Sequence, residues 1–172
     1  MSDETTQTND GNRFARLPAT AEDREVEGRA TREEVVDWWD ERFDVPPETF
    51  ENHTFYEKGK GKIWAFAGDV PDGVTVEGLG MVFLRTRQEH WKPTTDAVQR
   101  FGVDATKNVI DLGPEEARRF AAGEDQELDY DGDWGYVIAA HELAGEREPM
   151  GVGLFLYGEL RSVVPKGRQR SL

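Results

Sequence analysis

Trp134-Gly135-Tyr136-Val137-Ile138-Ala139-Ala140 and, after a polar interval, Pro149-Met150-Gly151-Val152-Gly153-Leu154-Phe155-Leu156-Tyr157 decide the fold. Each is an apolar run of strand length, rich in β-branched and aromatic residues. A third such segment, Leu160 to Val164, follows Gly158. Upstream, Asn108-Val109-Ile110-Asp111-Leu112 predicts a strand, and Pro114 at a first helical position opens a helix that Gly123 stops. Further back, Met81-Val82-Phe83-Leu84-Arg85 predicts a strand apolar enough to be covered on both faces. Thr94 or Thr95 can cap a short helix through Ala97, Val98 and Phe101, ended by Gly102. Short strands with one or two small helices between them indicate a small α+β barrel.

The N-terminal half reads differently. Residues 1–30 carry mainly small polar and charged residues and predict a disordered acidic arm, with Phe14 and Leu17 able to dock locally. Order is expected from Thr31. Thr31-Arg32-Glu33-Glu34 has the form of a capping box, and Val35, Trp38, Trp39 and Phe43 follow at helical spacing. Pro46-Pro47 ends that helix and begins a short turn to Phe50. Residues 53–56 and 63–67 predict a hairpin around Lys58-Gly59-Lys60-Gly61-Lys62. The expected organisation is therefore an arm (1–30), a small helix–hairpin module (31–70), a turn-rich connection (68–78) and a barrel domain (79–170).

Composition narrows the function classes. The chain has 172 residues, 35 acids against 21 bases, and a formal charge of -14. Aromatic residues make up 10%, which supplies a core and argues against disorder for most of the length. A dense carboxylate surface suits a proteome adapted to high salt. Cysteine is absent, which removes disulfides, thiol nucleophiles and Cys-ligated metals. No apolar run is long enough for a membrane helix, and Met1-Ser2-Asp3-Glu4 lacks the features of a signal peptide, so a cytoplasmic protein is expected.

Enzyme signatures are few. Gly78-Leu79-Gly80 and Gly151-Val152-Gly153 lead into apolar strand-like sequence, not into the helix that phosphate cradling requires, and read as sites of a bulge or close backbone approach. His53, His90 and His141 are dispersed, and the alternating acids from Asp125 to Asp133 lack the closing Glu of a calcium loop. No metal and no cofactor are expected.

Binding chemistry is better represented. Residues 58–92 hold six bases and four acids, and residues 149–172 hold four bases and one acid, whereas residues 113–148 hold eleven acids and three bases. Within these stretches, Arg85, Arg87, His90, Trp91 and Lys92 combine cations with rings on which an unpaired base could stack. The second stretch offers Arg161, Lys166, Gly167, Arg168 and Arg170. Three lysines of the 58–62 loop could add a backbone contact.

The ordered set of an apolar strand, His90-Trp91-Lys92-Pro93, a helix, Asp111-Leu112-Gly113-Pro114-Glu115-Glu116-Ala117, Phe120-Ala121-Ala122-Gly123-Glu124, Gly135-Tyr136-Val137-Ile138 and Gly158-Glu159-Leu160-Arg161-Ser162-Val163-Val164-Pro165-Lys166-Gly167-Arg168 resembles a known domain. It is similar to the PUA-like RNA-binding domain at the C-terminus of NOL1/NOP2/Sun-group RNA cytosine-5 methyltransferases, over about residues 79–170. The resemblance implies a PUA-like pseudobarrel with flanking helices, and RNA contact through Lys92 and Pro165-Lys166-Gly167-Arg168. Arg161 matches a cationic position of those domains, and Ser162 stands where they usually have Asn. Those methyltransferases attack with a thiolate, which a chain without Cys cannot supply.

The expectation is thus a non-catalytic protein that binds structured RNA (tRNA or rRNA) in RNA modification or ribosome assembly. Its partners could include an RNA methyltransferase or an assembly factor, and no membrane. The two cationic stretches are expected to meet on one face. The alternatives are a protein-interaction module that reuses that face, and an enzyme built on carboxylates with His53 or His141.

Overall fold

A computed structural model describes residues 13–69 and 78–169. The fold is α+β, with two sheets, one of them curled as a half-barrel. The first sheet is built from β1 (Ala15–Arg16), β2 (Thr54–Glu57), β3 (Lys62–Phe66), β4 (Met81–Arg85) and β5 (Lys92–Pro93), paired in that order and antiparallel throughout. Helix α1 (Arg32–Phe43) precedes β2, and α2 (Thr95–Phe101) follows β5. The second sheet comprises β6 (Val109–Asp111), β7 (Gln126–Glu127), β8 (Gly135–Leu143), β9 (Glu146–Leu156) and β10 (Glu159–Ser162), in the order β6-β8-β9-β10-β7. Only β6 is parallel to its neighbour, as its crossover through α3 (Pro114–Ala121) requires.

Local signals set the helix ends. The Thr31 hydroxyl accepts from the Glu34 amide at 3.0 Å, and the Glu34 carboxylate accepts from the Thr31 amide at 3.0 Å, which closes the expected capping box. Thr94 caps α2 by accepting from the Ala97 amide at 3.1 Å. Pro114 occupies the first position of α3, and Glu116 accepts from the Gly113 amide at 2.9 Å.

Two apolar clusters lie on opposite sides of the second sheet. One joins α1, α2, the inner face of the first sheet, and Ile138 and Val152 of the second. The other packs Phe120 of α3 against Val137, Ala139, Phe155 and Leu160. Successive residues of β8 thus alternate between two dry environments, which is why its sequence is apolar without a break. Phe120 lies directly on β9. A Cβ at Gly153 would stand 3.4 Å from the Phe120 ring and 2.5 Å from the Leu160 side chain, so the expected close approach is realised there. At Gly80 the φ is +65°, and a Cβ would lie 2.0 Å from the Ala65 carbonyl oxygen.

Strand β4 departs from the expectation of cover on both faces. Its pairing with β3 slips by one residue: Ile63 faces Leu84, but Trp64 faces Val82. Phe83 is the extra residue of this bulge. Phe83 and Leu84 are both fully buried, whereas Val82 is half-buried and Arg85 exposed. The apolar run serves a bulge that turns two adjacent side chains inward.

Two boundaries are also corrected. Residues 13–30 are not disordered. β1 pairs with β2, Leu17 is buried in the first cluster, and the Leu17 amide donates to the Phe55 carbonyl at 3.0 Å. The Arg29 guanidinium donates to the Glu57 carboxylate at 2.7 Å with both side chains near 10% exposed, and the same carboxylate accepts from the Gly61 amide at 2.7 Å. Nor do residues 31–70 form a module of their own. β3 pairs with β4 across the expected boundary, and the first cluster runs from Leu17 to Val152. The connection expected over residues 68–78 lies mostly outside the described residues.

The Arg29–Glu57 pair gives a test of how the arm is fastened. Arg29→Met leaves the Glu57 carboxylate nearly dry without its cation, and the expected loss is about 3 kcal/mol in urea unfolding, the lower end for a buried pair. A midpoint equal to that of the parent chain would show that the arm is held by other contacts.

Candidate functional site

The pairing registers place Lys62, Arg85 and Lys92 directly opposite one another on β3, β4 and β5. Residues opposite each other across antiparallel strands point to the same face. Three cations therefore form a row across the outer face of the first sheet, about 10 Å long at ordinary strand spacing. Among the described residues none of the three has a carboxylate partner. The Lys62 ammonium lies 5.3 Å from the centroid of the Trp64 ring, and that of Lys92 lies 5.9 Å from the Tyr136 ring. Burial, and then the charge of Arg85, hold Lys92 below the ordinary lysine range.

The row leads into a groove of about 320 Å³ at the β5 edge, lined by Arg85, Lys92, Pro93, Thr95, Pro165 and Arg168 among others. The C-terminal segment reaches it because the Val163 amide donates to the Val152 carbonyl at 3.1 Å, and residues 166–168 then form a 3-10 turn. Arg168 enters the groove paired to Asp96, with a nitrogen–oxygen distance of 2.9 Å. The two cationic stretches of the sequence thus converge at Arg85, Lys92 and Arg168.

The other candidates are distributed elsewhere. Lys166 and Gly167 are exposed on the turn that delivers Arg168. Arg161 pairs with Glu159 at 3.0 Å on β10. Arg87 lines a separate cavity with Lys60, Gly61, Arg29 and Glu57. Arg170 lies outside the described residues. Lys62 enters the row through strand pairing, and its only sequence signal was the Lys-Gly-Lys-Gly-Lys spacing.

His90 and Trp91 belong to a different cleft, of about 510 Å³, between α1 and the start of β8. One wall is a stripe of α1, in which Glu34, Asp37, Trp38, Glu41 and Arg42 recur at helical spacing. The facing wall carries Trp134, Gly135 and Tyr136, and Glu89, His90 and Trp91 complete the lining. Trp91 is half-buried, its ring centroid 6.3 Å from that of Trp38. This cleft is acidic, so His90 and Trp91 are not part of the cationic face.

The remaining histidines face neither cleft. His53 stacks edge-on against Phe101 at 5.1 Å; burial, then Arg100 and Arg32, lower its pKa. His141 places Nδ1 2.7 Å from the Leu112 carbonyl oxygen. Among the described residues no three His, Asp or Glu side chains gather as a metal site, and no helix is long and apolar enough to cross a membrane.

Residues 1–80 match a family described as a family of unknown function, DUF7122. The match covers less than half of the chain, ends just before β4, and carries no activity with it. No curated protein matches the chain.

The lowered pKa of Lys92 has a defined sign in stability. The folded chain gives up this proton more readily than the unfolded chain. The charged form therefore opposes folding, and stability rises as pH climbs from the lowered pKa toward the ordinary lysine range. Arg85→Gln should reduce that rise. It should also stabilise the protein near neutral pH by about 0.5 kcal/mol, the usual scale for a like-charged cross-strand pair. Thermal unfolding at several pH values provides the measurement; a destabilised variant would mean that Arg85 has an attractive partner.

Proposed function

We propose that the chain is a non-catalytic RNA-binding protein, whose interface is the outer row Lys62–Arg85–Lys92 together with the groove that ends at Arg168. One observation carries the reading: three in-register cations without a carboxylate partner among the described residues, in a chain of charge -14. Mutual repulsion makes such a row unfavourable in the free protein, and a polyanion relieves it. Phosphates laid along the row would each meet a cation, and the half-buried Lys92 gains most, because a neighbouring negative charge offsets both its burial and the repulsion of Arg85.

The resemblance of residues 79–170 to PUA-like domains supports RNA as the polyanion. The Pro165-Lys166-Gly167-Arg168 turn that carries the likeness abuts the same groove. In this reading the pseudobarrel includes strands from before residue 79, because β2 and β3 complete the sheet to which β4 and β5 belong. A role in tRNA or rRNA modification or in ribosome assembly would place the catalytic step on a partner, such as an RNA methyltransferase. High salt constrains the mode of binding. At 1 M the Debye length is about 3 Å, so recognition must come from direct contact and not from steering at a distance.

The test is anisotropy of a labelled tRNA transcript titrated with the chain at several salt concentrations. Lys62→Gln with Lys92→Gln is expected to weaken binding at least tenfold, and to flatten the dependence of log K on log salt by about two phosphate contacts. Unchanged affinity for this double variant, with the fold retained by circular dichroism, would move the interface elsewhere.

A further inference from the structure

The cleft between α1 and β8 is unsuited to phosphate, and its chemistry calls for a ligand of opposite charge. We propose that it binds a weakly hydrated organic cation of the quaternary ammonium or guanidinium class. Its walls are aromatic: Trp38 and Trp91 on one side, Trp134 and Tyr136 on the other. Trp134 is 52% exposed and Tyr157 beside it 78%, with ring centroids 4.5 Å apart, so two large rings stand in water at the rim. Together they extend the aromatic lining of the cleft into solvent.

Charge then selects among ligands that could stack on those rings. Asp37, Glu41 and Glu89 line the cleft without a cation partner among the described residues. Glu34 is already occupied by the helix cap and by Arg24 at 2.8 Å. Arg42 does not neutralise the three. Its guanidinium donates to the Tyr136 carbonyl at 2.8 Å and to the Asp133 carbonyl at 3.3 Å, and its charge faces the Asp133 carboxylate. Asp37 and Glu41 stand four residues apart on α1, a like-charged spacing that weakens a helix. Like the cationic row, this arrangement is unfavourable until a counter-charge arrives.

The rings decide which counter-charge fits. A hydrated sodium or potassium ion gains little from aromatic walls and keeps its water. A quaternary ammonium or a guanidinium sheds water easily, is attracted to ring faces, and leaves its charge within reach of the carboxylates. The volume of about 510 Å³ admits a cation the size of a side chain or a small osmolyte, so a free cation and a cationic side chain of a partner share one chemistry here.

Calorimetric titration of the full chain at fixed potassium chloride tests the assignment with three probes. Choline and methylguanidinium represent the two cation types, and 3,3-dimethyl-1-butanol has the shape of choline without its charge. Saturable binding of at least one cation, at least tenfold tighter than the neutral probe, is the expected result, and the tighter of the two names the type. No saturation by either cation, or neither cation bound more tightly than the neutral analogue, would overturn the proposal. Asp37→Asn with Glu41→Gln should weaken the cation at least tenfold while leaving the helix at least as stable; unchanged affinity would also overturn it. Trp134→Ala, at an exposed rim position, should weaken binding without a change in fold. The single Lys62→Gln variant, at a position whose ammonium lies over Trp64 and away from the cleft, should bind the cation like the parent chain, which separates this site from the RNA interface.

Discussion

The seating of Phe83 constrains everything else in the first sheet. Its ring stacks on Phe55 at 5.0 Å and on Trp39 at 5.1 Å, and meets Phe50 and Phe101 edge-on at 5.6 and 5.4 Å. These contacts bring α1, the turn after it, β2 and α2 to a single point. Burying Phe83 and Leu84 together requires the bulge opposite Ile63 and Trp64, and the bulge in turn fixes the register beyond it. With the slip absorbed at Phe83, Arg85 falls opposite Lys62 and Lys92. A one-residue change in that register would send Arg85 to the opposite face of the sheet. The alignment of the cations is therefore a consequence of how the aromatic core is filled.

The surface chemistry follows a separation of charge that net composition conceals. Acidic residues dominate the chain, yet the outer face of β3 to β5 is basic, and the cleft behind α1 is acidic and aromatic. Both regions place like charges side by side. Folding alone gives no reason to retain either, because paired or neutral residues would be more stable at the same exposed positions. The ion pairs elsewhere, such as Arg147–Asp111 at 2.8 Å and Arg168–Asp96, show that arginines of this chain readily find carboxylates. Unmatched charge is thus a feature of two surfaces, and the proposed ligands of opposite charge would account for both.

Much of the local architecture was legible because its causes are local. Thr31 and Glu34 satisfy each other within one turn, Pro114 needs no distant partner, and the apolar continuity of Val137 to Ala140 reports burial on two faces directly. Pairing across the 68–78 connection was not legible. A turn-rich stretch reads the same whether it links two domains or two neighbouring strands, and only the partnership of β3 with β4 distinguishes them. The arm misled for a related reason. Its polar composition is that of a disordered segment, but Leu17 and the Arg29–Glu57 pair fasten it to a sheet that lies later in the chain. Within the site, Trp91 and Lys92 look like one patch in the sequence because they are adjacent. Neighbours in an extended segment point to opposite sides, so one enters the acidic cleft and the other the cationic groove. The α1 stripe did carry a signal: Trp38 sits beside the core positions Val35, Trp39 and Phe43, on a face it shares with Asp37 and Glu41.

The high ionic strength proposed from the acidic composition would reconcile these unfavourable surfaces with a stable fold. Repulsion along the row acts partly through solvent, and salt weakens it most where side chains are exposed, as at Arg85. A direct contact to a phosphate oxygen excludes the intervening electrolyte and keeps more of its strength. The same holds in the cleft, where aromatic walls exclude ions that cannot give up their water. Salt therefore lowers the cost of leaving like charges unpaired more than it lowers the gain from a ligand held in contact. A chain adapted to such conditions can maintain unmatched charge at a recognition surface that would destabilise the same fold in dilute solution.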